Sequence, residues 1–88
     1  MPIWGADTAQ LKALGSKLQA GSSEIEKQKS LLTRALDSTD WMGPDADKFR
    51  QEWNGSHVSD LARVARALEE AGKQANKNAS QQEQASQG

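Results

Sequence analysis

Residues 38–53 read STDWMGPDADKFRQEW, and this stretch separates two long polar segments of helical character. It holds two of the three tryptophans, the only phenylalanine and one of the two prolines. Gly43 can take the left-handed conformation that ends a helix, and Pro44 suits the first turn of the next. Asp45 and Asp47 complement the positive end of that helix's dipole. The stretch reads as a corner followed by a helix start.

On the N-terminal side, Trp4, Asp7, Leu11, Leu14, Leu18, Gly21, Ile25, Gln28, Leu32 and Ala35 recur at steps of three and four, the spacing of one helical face. Asp7, with Gln10 three residues on, is a capping-box pattern. On the C-terminal side, Ala46, Phe49, Trp53, His57, Leu61, Val64, Leu68, Gly72, Ala75 and Ala79 repeat the pattern. The two seams agree with one antiparallel register, in which Leu11 faces Ala75, Leu18 faces Leu68, Ile25 faces Leu61 and Leu32 faces Trp53. That register sets Leu14 opposite Gly72 and Gln28 opposite His57, which either forms a polar layer with Gln28 or reaches solvent at the seam's edge.

The fold class expected is therefore all-α: an antiparallel helix-turn-helix hairpin. Residues 1–6 form an N-terminal arm and residues 7–80 the hairpin. Helix one covers about 7–39, the turn about 40–44 and helix two about 45–78. Residues 81–88, without a large apolar group, read as a flexible polar tail. The expected hairpin core is Leu11, Leu14, Leu18, Ile25, Leu32, Phe49, Trp53, Leu61, Val64 and Leu68. Two helices share one narrow interface, too little for a chain of 88 residues to stand on alone. Apolar residues off the seam, namely Leu31, Leu36, Met42, Val58, Ala62 and Ala65, offer a second face. Packing two hairpins together would give a dimeric four-helix bundle.

Composition excludes several function classes. With 11 basic against 12 acidic residues the net charge is −1, which removes the electrostatic case for nucleic acid. Cysteine is absent, so disulfides and thiolate metal sites are unavailable. The single histidine, His57, has no carboxylates at ligand spacing. Asp37, Asp40, Asp45 and Asp47 depart from the calcium-loop pattern and read as helix-end chemistry. No nucleophile arrangement or phosphate loop is present, so the chain reads as non-enzymatic, without catalytic, metal or cofactor-binding residues. No apolar run is long enough for stable membrane insertion. The start lacks the basic and apolar regions of a Sec signal, so synthesis in the cytoplasm is expected. Trp41, at the turn, either pins the corner or serves as a recognition knob.

Trp41-Met42-Gly43, placed mid-chain between two helices and followed by Asp-Ala-Asp-Lys-Phe, resembles the WXG family. These are the small Esx-like proteins of type VII secretion in Gram-positive bacteria. The run WMGPDADKFRQEW is particularly similar to actinobacterial members. The resemblance implies homodimers, or heterodimers with another WXG protein. It also implies export as a folded dimer by a membrane ATPase of the FtsK/SpoIIIE type, to the medium or the cell surface. Trp41 and Gly43 would supply half of a bipartite signal, read beside the partner's C-terminal tail. The family's tail motif is Tyr-x-x-x-Asp/Glu. This chain has no tyrosine, and its degenerate counterpart is Ala79 with Glu83. The competing expectation is an intracellular helical chaperone or adaptor dimerised with a larger secreted partner or toxin.

Overall fold

The computed structural model describes residues 7–87 and is helical almost throughout. The N-terminal arm and Trp4 lie outside the described residues. Helix α1 spans Thr8–Ser38, α2 spans Pro44–Glu52, a π-helical turn covers Trp53–His57, and α3 runs Val58–Gln87. Helices α1 and α3 pack antiparallel along their length. The hairpin measures 65 × 18 × 13 Å, with a radius of gyration of 19.3 Å, against roughly 12 Å for a compact chain of this length.

Each helix begins as its chemistry dictates. The Asp7 carboxylate accepts from the Gln10 amide at 3.0 Å, which satisfies one orphan donor of α1. Pro44 opens α2 with Asp45 and Asp47 in its first turn. The end of α1 differs from expectation. It stops at Ser38, and Thr39 turns extended, with the Thr39 and Ser38 hydroxyls donating back to the Ala35 carbonyl. Gly43 does take a positive φ, 119°, but it is the cap that starts α2. The second helix also outlasts its expected end at residue 78 and remains helical through Gln87. Gln, Glu and Ala are strong helix formers, and they extend α3 over the residues expected to be tail.

The hairpin interface is made of small residues. Gly15, Ser22, Ala65, Gly72, Ala75 and Ala79 are buried between α1 and α3, and no large side chain among the described residues is fully buried. The backbones nearly touch. A Cβ added to Gly72 would lie 2.9 Å from the Gly15 carbonyl oxygen, and one on Gly15 would lie 3.0 Å from that of Gly72. Helices this close leave no room for leucine between them.

The expected core is corrected accordingly. Leu14 and Val64 are each 49% exposed and Leu32 47%. Phe49 is also exposed, while Leu11, Leu18, Ile25, Leu61 and Leu68 are half-buried, and of the ten only Trp53 is buried. The level of the register is right, and the face is off by one residue. Gly15, rather than Leu14, meets Gly72, and Thr33, rather than Leu32, meets Trp53. One residue turns a helix by about 100°, so the α1 leucine stripe stands beside the contact instead of in it. Ala65, expected on a second face, is buried in the contact.

The π turn corrects the second seam. From Trp53 the buried side steps five residues to the half-buried Val58, passing over the exposed His57. Of the two expectations for His57 the exposed one holds, and no Gln28–His57 layer forms: Gln28 donates to Glu24 at 3.0 Å, and His57 lies against aromatic rings. Both apolar stripes lean to one side of the hairpin. Leu68 reaches across to 3.7 Å from where a Cβ on Gly21 would stand. By helical spacing the exposed Lys27, Arg34, Arg66, Lys73 and Lys77 fall away from that side.

Candidate functional site

The corner, residues 39–43, is built around one arginine. The Arg50 guanidinium, on α2, donates to the backbone carbonyls of Trp41 at 2.7 Å, Thr39 at 3.1 Å and Leu36 at 3.2 Å. Leu36 and Thr39 lie at the end of α1, where carbonyls lack helical partners, Trp41 lies in the corner itself, and a cation beside a helix C-terminus is also favoured by the dipole. The same guanidinium lies over the Trp41 ring, 5.9 Å from its centroid, within cation–π range. Arginine on a polar helix face reads in sequence as solvated surface, so the residue that organises the corner carried no signal.

From Trp41 a ladder of rings runs along the start of the second helix. Trp41 and Phe49 are 6.1 Å apart and tilted by 46°, and Phe49 stacks on Trp53 at 6.3 Å and 17°. His57 closes the series at 6.5 Å from both Phe49 and Trp53. Such offset arrangements are those in which aromatic pairs attract. Trp53 Nε1 donates to Thr33 Oγ1 at 2.9 Å, and that hydroxyl donates to the Lys29 carbonyl at 2.8 Å. The buried indole thus has its polar atom satisfied, and the ladder is tied to α1. Thr33 is the second residue that the sequence reading missed.

Trp41 and Gly43 are both exposed in the corner. Trp41 is 40% and Met42 84% accessible, so the corner displays apolar surface outward, continuous with Phe49. Asp37, Asp40, Asp45 and Asp47 surround it, all exposed. Among the described residues no group of histidine and acidic side chains is arranged to hold a metal ion, and no helix is long and apolar enough to cross a membrane.

The tail positions lie at the far end of the hairpin. Ala79 is completely buried, and Glu83 pairs with Lys12 of α1 at 2.5 Å. Position 79 is thus occupied by an intrachain contact that only a small side chain fits. The structure brings Trp41, Phe49 and Trp53 together and leaves Ala79 and Glu83 at the other end of the same chain.

No protein-family model matches this chain, and neither a curated protein nor a solved structure shows significant similarity to it.

Proposed function

We propose that the chain is a non-enzymatic Esx-like protein, exported by a type VII secretion system as a folded helical dimer and acting as an adaptor or effector. The observation that carries this reading is the one-sided hairpin with an aromatic corner. Leu14, Leu32 and Val64 stand about half exposed along one side, next to a contact in which the residues buried between α1 and α3 are small. The chain exposes 6615 Å², where a compact chain of 9.5 kDa exposes about 5,000 Å². The excess, roughly 1,600 Å², is ample for a standard interface, which takes about 800 Å² from each partner. A second hairpin laid on this side completes a four-helix bundle, and Trp41 with Gly43 remains displayed at its end.

Extracellular levels in wild-type and ATPase-deficient cells of the host test the reading. Loss of the extracellular protein without loss of the cellular pool is expected. Equal levels in the absence of lysis refute ATPase-dependent export.

One observation favours a second reading, an intracellular chaperone or adaptor bound to a larger partner. Ala79 is buried and Glu83 engaged within the chain itself, so a complete tail signal has to come from a different protein. A pull-down that yields a stable larger partner, with no free homodimer by light scattering, distinguishes it.

A further inference from the structure

We infer that Arg50 is the positioning residue of the corner: its guanidinium holds Trp41 in the displayed orientation. The inference deepens the export reading and rests on it for biological meaning, while its structural part stands alone.

Three observations lead to it. Among the described residues, Arg50 supplies both side-chain hydrogen bonds that join the corner to α2, and a third to Leu36 of α1. The Ser38 and Thr39 hydroxyls donate back into α1. The corner's own backbone contributes a bond from the Trp41 amide to the Thr39 carbonyl and one from the Asp47 amide to the Gly43 carbonyl, and neither fixes the indole. Arg50 joins the two functions in one group, gripping the Trp41 carbonyl and lying over the Trp41 ring. Among the described residues no carboxylate pairs with it, although Asp45 and Asp47 share its helix. The guanidinium instead faces three backbone carbonyls, of Leu36, Thr39 and Trp41. A planar fork of five donors suits that task, and the point charge of lysine with its three donors does not.

The chemistry separates a positioning role from simple capping. A helix cap changes stability whatever Trp41 does, whereas a positioning group changes the surroundings of one ring among three. The test is fluorine NMR of the full chain labelled with fluorotryptophan, its signals assigned by replacing Trp4, Trp41 and Trp53 singly with Phe. In Arg50→Gln and Arg50→Lys the Trp41 signal should move and gain solvent exposure while the Trp53 signal stays in place. Lysine should fail to restore it. Circular dichroism identifies the temperatures at which each variant is fully helical, and Arg50→Lys retains the cation should Arg50→Gln fold poorly. A Trp41 signal unchanged in both variants, at whatever cost in melting temperature, overturns the inference.

Export provides the second arm. Extracellular Arg50→Gln should fall at least several-fold relative to the parent, with dimerisation by light scattering unchanged. If the Trp41 signal moves but export does not fall, the functional half is overturned. If the parent's extracellular level is itself independent of the ATPase, the export reading fails, and the NMR result still decides what Arg50 does.

Discussion

Replacing Leu14, Leu32 and Val64 by alanine should abolish self-association while leaving the hairpin folded. Each is close to half exposed in the hairpin, so about half of its burial energy remains to be gained on association. Full burial of a leucine or valine contributes about 1.5–3 kcal/mol, which leaves ~1 kcal/mol each. In a two-fold dimer every position is presented twice, so one substitution should cost ~2 kcal/mol. That corresponds to roughly a 30-fold rise in Kd. The triple variant should lose ~6 kcal/mol if the sites are independent, a weakening of about four orders of magnitude. Leu31→Ala is the control. Leu31 is 41% exposed but falls outside the leucine stripe by helical spacing, so its dissociation constant should stay within about threefold of the parent's. Sedimentation equilibrium over a concentration series reads the constants, and circular dichroism checks helicity. If the triple variant associates as tightly as the parent, or Leu31→Ala weakens association equally, the assignment of the face is wrong.

Other consequences concern the hairpin itself. Gly72→Ala places a Cβ 2.9 Å from the Gly15 carbonyl. The overpacking cost of about 1–3 kcal/mol should exceed the ~1 kcal/mol gained in helix propensity, lowering the urea midpoint. Gly55→Ala meets nothing within 4 Å and should raise that midpoint by the propensity gain, up to ~1 kcal/mol. Trp53→Phe deletes the bond to Thr33 and should cost about 1 kcal/mol beyond any packing loss. A double-mutant cycle with Thr33→Val isolates it, and a coupling near zero would mean the bond contributes nothing. Lys12→Ala should lower stability by less than about 1 kcal/mol, because both partners of its pair with Glu83 are substantially exposed, and high salt should erase the difference.

Much of the architecture was legible because it depends on local rules. Asp7, Pro44, Asp45 and Asp47 mark helix starts by chemistry that acts within one turn, and the steps of three and four follow directly from helix geometry. The level of the register followed too, since it needs only two patterns and a corner. What escaped depends on distance in space. A reading weighted towards leucine puts Leu14 and Leu32 between the helices. The glycine crossing at Gly15 and Gly72 draws the backbones together and moves the leucines aside. Composition likewise ended the second helix near residue 78, because Gln and Ser offer nothing to bury. Propagation from an established helix needs no burial and carried it to Gln87. Arg50 was hidden for a related reason: its partners are backbone carbonyls, which have no letter in a sequence.

The π turn at Trp53–His57 acts as a vernier between the two ends of the molecule. Counted as uninterrupted α-helix, the twelve-residue step to Ala65 would set it about a third of a turn away from Trp53. The extra residue of the π turn brings both into the same contact with α1. A one-residue deletion here should therefore be absorbed: the eleven-residue step that remains, run as plain α-helix, returns Ala65 to within about 20° of Trp53, so the side that is apolar near Phe49 stays the side that is apolar near Val64. Homologous chains can be aligned by this criterion: where residues 54–57 lose one position and the π turn with it, the corner and the long face should still point the same way.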